Sequence, residues 1–265
     1  MAESRRGNPA SFKRRRRRWI KQQGKRLIRA LWDFFGQQSL IGAPSVWPSD
    51  VFPSVRPLEE NWHLIRRELD ALLVQRDLLP PFQTISRDQR RIAKGDRWKT
   101  FILVGFGSWS LRSVRRCPET ARLLAGIPDL QTAFFSILAP GYHIPPHRGI
   151  TRGLVRVHLA VKVPTDGQKC RIRIDRDEHH WQEGKCLVFD DTFEHEVWNE
   201  TDEERVVLLL DIKRPMRWPG RLVNEIFLWG IRRSAYFTRA QIRQGRWEDR
   251  FEAAVTRADN YHLDA

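Results

Sequence analysis

The chain has 265 residues, 41% of them hydrophobic, and a formal net charge of +15. That length suits one large domain or two small ones, and the apolar fraction suffices for a sizeable core. The cysteines Cys117, Cys170 and Cys186 are odd in number and form no C-x-x-C pair. They exclude a disulfide scaffold or zinc knuckle and fit a reducing compartment, while no apolar run approaches the roughly 20 residues that span a bilayer.

The charge is concentrated at one end. Residues 1–30 hold twelve Lys or Arg against one acid, Glu3, so the remainder is only mildly basic. Residues 1–18 include the run Arg14 to Arg18 and read as a polar arm without a core of its own. From Trp19 to Phe35 the pattern turns helical, with Ile20, Leu27, Leu31, Phe34 and Phe35 on one side. The 1–35 segment is therefore expected to be a basic amphipathic arm. It lacks the apolar stretch of a secretory signal. Pro44, Pro48, Pro53 and Pro57 mark 36–58 as a linker. Residues 59–79 predict a helix whose apolar face is Trp62, Ile65, Leu69, Leu72 and Leu73.

Beyond Trp98 the texture is β. Short apolar runs at 100–106, 132–138, 154–163, 170–174, 186–190, 194–199 and 205–212 are separated by Pro140-Gly141, Asp166-Gly167 and Glu183-Gly184. A helical stretch at 118–125 interrupts the first two. This predicts a mainly β fold with flanking α-helices, of the sandwich, jelly-roll or barrel type. Residues 216–265 form a C-terminal amphipathic helical segment, with Leu222, Val223, Ile226, Phe227 and Ile231 opposing charged residues. There is no internal repeat and no Gly-rich phosphate loop.

The chemistry concentrates between Phe134 and Pro215. His147 lies in Pro145-Pro146-His147-Arg148-Gly149, read as a turn before a long strand, and His195 lies in Asp190-Asp191-Thr192-Phe193-Glu194-His195-Glu196. An antiparallel barrel would let two histidines at that separation meet across one mouth. Two neutral imidazoles with open positions suit non-heme iron. The usual site adds a carboxylate two residues after the first His, and that position is Gly149. Spacing alone leaves open that both are ordinary surface or core histidines. Arg156 and His158 stand at i and i+2 of one strand and share a face. Arg205 opens the apolar strand 205–211, where an inward unpaired guanidinium is costly and a dicarboxylate would relieve it. The alternative partners for Arg205 are Glu203, Glu204 and Asp211.

Three segments make a resemblance specific. The run from Phe135 through Ala139-Pro140-Gly141-Tyr142-His143 to Gly149 resembles the iron-binding segment of the aspartyl/asparaginyl β-hydroxylase family. Leu154 to Leu159 resembles that family's next strand. The run from Glu183 through Asp190-Asp191 to Asn199 resembles its second iron segment, and Arg205 completes the set. The likeness extends from about Trp98 to Pro215 and is absent from the first forty residues.

The resemblance implies a cupin-like double-stranded β-helix (jelly roll) over 59–215, and Fe(II) and 2-oxoglutarate chemistry with O2. It implies two iron-binding histidines without the carboxylate, His147 and His195. Ser136, Arg156, His158 and Arg205 match positions that hold 2-oxoglutarate, with Arg205 on the distal carboxylate. Tyr142 departs from the expected Thr and could alter the substrate mouth. Asp190 and Asp191 are expected to orient the strand end or an imidazole rather than bind metal. The chain looks more like the family's bacterial lipid A hydroxylase branch than its protein-hydroxylating members, which implies an acyl chain of lipid A or its precursor as substrate. A polybasic run leading into an aromatic amphipathic helix also fits an anionic membrane surface, bound through residues 13–35 from the cytoplasmic side. The rivals are β-hydroxylation of Asp or Asn in a protein and, more distantly, nucleic-acid binding by the arginine run. The body shows no aromatic platform or recognition helix to support the last.

Overall fold

The computed structural model describes residue 24, residues 26–85 and residues 91–263. Eight helices flank eleven strands among the described residues. The helices are α1 (26–38), α2 (Arg56–Glu60), α3 (Trp62–Leu73), α4 (Phe82–Ile85), α5 (Leu111–Arg116), α6 (Pro118–Ala125), α7 (Trp218–Arg233) and α8 (Ala235–Leu263). The strands are β1 (Val46–Trp47), β2 (Trp98–Gly105), β3 (Ser108–Trp109), β4 (Leu130–Leu138), β5 (Tyr142–His147), β6 (Leu154–Lys162), β7 (Cys170–Ile174), β8 (Asp177–His180), β9 (Cys186–Phe189), β10 (His195–Asn199) and β11 (Arg205–Lys213).

Every strand pair is antiparallel, in a seven-stranded sheet ordered β1-β9-β6-β11-β4-β2-β3 and a four-stranded sheet ordered β5-β10-β7-β8. The large sheet is buried on both faces, which is why β11 reads as a nearly continuous apolar run. Val206, Leu208, Leu210 and Ile212 face a core shared with helices, alongside Val155, Val157, Leu159 and Val161 of β6. The alternate residues turn toward the small sheet. There Phe134, Leu138, Ala160, Val207 and Leu209 meet Ile144, Cys170, Ile172, Ile174 and Val197. The fold is thus the predicted jelly roll with flanking helices.

Helices close the outer face. Glu68 of α3 reaches the start of α6 and accepts from the backbone amides of Glu119 and Thr120 at 2.7 and 2.8 Å. That satisfies donors a helix N-terminus cannot bond internally. Gly184 turns the chain into β9 with φ +75°, and the Trp62 indole fills the space a Cβ would need.

Several expectations are corrected. The proline-rich 36–58 stretch is no linker, since β1 pairs with β9 and Trp47, Phe52, Val55 and Leu58 are buried in the helix-side core. Its prolines shape tight packing rather than a spacer. The turn expected around His147 is the strand β5, whose Pro145 and Pro146 disguise it. The helix expected over 59–79 breaks at Asn61, and its α-helical part ends at Leu73. Of the amphipathic arm, residues 1–23 and 25 lie outside the described residues. The rest is α1, in which Phe35 is buried while Leu27 and Ile28 are exposed.

Candidate active site

His147 ends β5 and His195 begins β10. Strand pairing sets them directly opposite each other, with ring centroids 4.1 Å apart. Each Nδ1 lies against a backbone carbonyl: His147 against Pro145 at 2.9 Å, and His195 against Phe193 at 3.0 Å. A carbonyl only accepts, so each Nδ1 carries the proton and each Nε2 keeps its lone pair. Burial depresses both basicities, His147 to about 4 and His195 well below the usual imidazole range. Both rings are therefore neutral at neutral pH. Two adjacent neutral imidazoles with fixed tautomers are a donor set that suits a divalent transition metal. Among the described residues no cluster of three His, Cys, Asp or Glu side chains that could hold a metal is present.

The two aspartates near His195 are occupied. Asp190 is ion-paired with Arg214 at 2.6 Å and Arg152 at 3.1 Å, and its other oxygen accepts from the Thr192 amide. It fixes the turn leading to His195. Asp191 pairs with Arg156 at 3.0 Å, and burial lifts its carboxyl to about 7.

A second group of polar residues lies deeper between the sheets. Arg205 is 1% exposed, and its Nε and Nη1 have no hydrogen-bond partner. Its guanidinium stacks 4.5 Å from the Trp181 ring, beside the Cys170 thiol, and burial lowers it to about 10. The three carboxylates that could have neutralised it are engaged elsewhere. Glu203 accepts from the Thr165 amide, Glu204 pairs with Arg76, and Asp211 pairs with Arg156. His158, packed edge-on against Phe189, has both ring nitrogens unpartnered, as does the Trp181 indole N–H. Ser136 accepts from Trp98 Nε1 at 3.0 Å, leaving its own proton to donate. An unpaired buried cation surrounded by unsatisfied donors is expensive unless an anion joins it. A carboxylate is the kind of partner these groups lack.

Arg156 behaves differently. It shares the inward face with His158 but is already held by Asp191 and by both oxygens of Asp211, at 2.9 and 3.3 Å. Tyr142 does not line the cavity beside His147. Its hydroxyl accepts from the Lys94 amide at 2.8 Å and lies 3.3 Å from the Ile92 carbonyl, pinning a segment that does line it.

That cavity has a volume of about 880 Å³. His147, Arg148, Arg156, Asp191 and Asp211 form one polar end, and Gln241, Gln244 and Glu248 of α8 add polar groups elsewhere on the lining. Its walls are largely apolar, from Ile102, Phe134 and Leu209 of the large sheet and Ile226, Phe227, Ile231 and Phe237 of α7 and α8. Residues 59–215 match the family model of the aspartyl/asparaginyl beta-hydroxylases. The chain belongs to the aspartyl/asparaginyl β-hydroxylase family. It is 43% identical over 218 residues to an ornithine lipid ester-linked acyl 2-hydroxylase of Rhizobium tropici, covering 80% of this chain and 76% of that one. To the aspartyl/asparaginyl beta-hydroxylase of Homo sapiens it is 35% identical over 170 residues, 62% of this chain but only 22% of the human protein. A cupin domain of an XRE family transcriptional regulator from Enterobacter cloacae is 15% identical, with a TM-score of 0.31 over 44% of this chain and 96% of that one. The architecture of this β-hydroxylase family member rests on its own strand pairing.

Some site residues left little trace in the sequence. Trp181 sits in a polar loop with no periodicity to announce it. Asp211 could have been found, because β alternation sets it on the same face as Arg205 and strand pairing sets it opposite Arg156. The α7 and α8 walls come from distant sequence, whose amphipathic pattern marked an apolar face but not what that face covers.

Proposed function

We propose that this chain is an Fe(II)- and 2-oxoglutarate-dependent hydroxylase acting on the acyl chain of a lipid. His147 and His195 would hold the metal through Nε2. Arg205, with Ser136 and His158 nearby, would hold 2-oxoglutarate. Bound there, iron would supply activation of O2, coupling oxidative decarboxylation of 2-oxoglutarate to succinate and CO2 with hydroxylation of a substrate C–H bond. The protein's residues keep the imidazoles neutral, neutralise the co-substrate and exclude water from the apolar walls.

The observation that carries the acyl reading is the cavity. Its polar end is at His147, and its walls along the sheet and α7 are apolar. A hydrocarbon chain gains from such walls, whereas an Asp or Asn side chain would leave most of them unused. The Rhizobium relative acts on the ester-linked acyl chain of an ornithine lipid, which supports position 2 of an ester-linked chain. Lipid A and its precursors stay within the same acyl-lipid class, with a phosphorylated rather than an amino-acid headgroup. The relatives named for Asp and Asn β-hydroxylation support a peptide substrate as the second reading.

Anaerobic protein mixed with Fe(II) and 2-oxoglutarate should show a weak visible charge-transfer band that is lost in His147→Ala and His195→Ala. Absence of the band in folded wild-type protein would overturn the oxygenase reading. Mass spectrometry of ornithine lipids, lipid A precursors and Asp- or Asn-containing peptides after aerobic incubation then identifies the substrate. Gain of one oxygen on a peptide and on no lipid would replace the acyl reading.

A further inference from the structure

The geometry points to a bilayer-docking face on α7: we propose that Trp218, Leu222, Ile226 and Trp229 seat the enzyme on an anionic phospholipid surface, directly over the mouth of its cavity. The docking stands on the surface itself, and only the route it offers an acyl chain rests on the proposed function.

These four residues recur at spacings of four and three and so fall on one side of the helix. They are exposed at 75%, 54%, 61% and 53% respectively. Four large apolar residues on one exposed helix side form a patch that water does not favour. The opposite side of α7 is satisfied, with Leu228 and Asn224 buried and Phe35 of α1 packed edge-on against Phe227. The exposed stripe is therefore spare after folding.

Charge selects the occupant. Residues 217–233 carry Arg217, Arg221, Arg232 and Arg233 against one acid, Glu225, which is held by Lys213. Arg233 lies 4.7 Å over the Trp229 ring, so cation and apolar ring share one location. Tryptophans and arginines bordering an aliphatic stripe match the layering of an anionic membrane interface, with rings at headgroup depth and guanidinium groups on phosphates. A protein partner would satisfy the apolar stripe but gives no reason for the surrounding cations. No helix among the described residues is long and apolar enough to cross a membrane, so the contact lies along the surface.

The stripe is also continuous with the active-site cavity. Ile226 on α7 and Ile150, 53% exposed in the segment three residues after His147, are each both exposed and part of the cavity wall. Trp32 of α1 donates to the Ile150 carbonyl at 3.2 Å, tying α1 to this rim. A lipid leaving the bilayer at Ile226 would meet apolar walls rather than water on its way to His147.

The test uses the full chain with vesicles of phosphatidylcholine alone and of an equal mixture with phosphatidylglycerol. Wild-type protein should co-sediment with the mixed vesicles and weakly with the neutral ones. Trp218→Glu/Leu222→Glu/Trp229→Glu should bind mixed vesicles about a hundredfold more weakly, while keeping its thermal midpoint and the Fe(II)–2-oxoglutarate band. Should that variant not fold, Trp218→Phe/Trp229→Phe keeps the stripe apolar. With brominated phosphatidylcholine in the mixed vesicles, it should lose the quenched part of the wild-type tryptophan fluorescence. Equal vesicle affinity in the Glu variant, equal binding to neutral vesicles, or unaltered quenching in the Phe variant would each overturn the proposal. So would a wild-type dimer in light scattering that the Glu variant dissociates, because the face would then belong to a second copy. Missing charge-transfer absorption with vesicle binding intact would remove the proposed chemistry and leave the docking face standing.

Discussion

The Asp191 carboxylate fills the space that a side chain at position 149 would need, and the Gly149 amide donates to the Asp191 carbonyl at 2.6 Å. Position 149 is where a third, carboxylate ligand would be expected after the first histidine. Glycine there is a requirement of packing, since Asp191 occupies the volume and uses its charge on Arg156. Gly149→Ala should displace Asp191, break that ion pair and destabilise the protein by about 1–3 kcal/mol. Gly149→Asp adds a second buried carboxylate beside Asp191 and should weaken Fe(II) binding rather than strengthen it. Thermal unfolding and Fe(II) titration of both variants check this. Tighter metal binding in Gly149→Asp would show that Asp191 yields its place.

Arg205 gives a prediction with two opposite signs. Its guanidinium is buried, with Nε and Nη1 unpaired. Arg205→Met should leave the apo protein as stable or more so, because an uncompensated charge has been removed. The same change should weaken 2-oxoglutarate binding by about ten- to a hundredfold. Thermal shift with and without 2-oxoglutarate separates the two effects. An apo protein that unfolds several degrees earlier would mean Arg205 is a structural cation.

These two residues also show what the sequence could disclose. Arg205 was visible because an arginine opening an apolar strand is anomalous on its own, and strand alternation put Arg156 and His158 on one face. His147 and His195 were visible through long motifs. The tie between Gly149 and Asp191 was not, because it depends on two loops meeting across the barrel mouth. Trp47, Phe52 and Val55 were hidden by their prolines, which signal irregular backbone but say nothing about burial. The cavity wall was hidden because α7 and α8 return from the far end of the chain, and amphipathicity alone cannot say what a helix covers.

The cysteines predict a pH dependence. Burial pushes the Cys117 thiol up to about 12, with the Glu68 carboxylate adding to it, and burial also raises Cys170 and Cys186. Unfolded thiols ionise near their ordinary value, so from about pH 9 upward the unfolded state binds fewer protons than the folded one. Stability should accordingly be unaffected by these groups below that range. It should fall as pH rises toward 12, by up to about 1.4 kcal/mol per pH unit for each thiol. Urea unfolding at pH 8 and pH 10 measures the loss, and Cys117→Ala should reduce its slope. Native protein at pH 8 should also react slowly with thiol reagents. Fast labelling of Cys117 and Cys170 before unfolding would contradict their burial.

Gly230 offers the sharpest test of the cavity's role. It lines the cavity from the last turn of α7, and a Cβ placed there meets no atom within 4 Å. Gly230→Ala should therefore stabilise the helix by about 1 kcal/mol without loss of activity. Gly230→Trp projects a ring into the space assigned to the acyl chain. It should leave the Fe(II)–2-oxoglutarate band intact and selectively lower turnover of long-chain substrates relative to short ones. The band responds to the metal end of the cavity and chain-length preference responds to its walls, so the two readouts separate damage to the chemistry from a narrowed channel. Unchanged chain-length preference in a folded Gly230→Trp variant would mean that the substrate lies elsewhere.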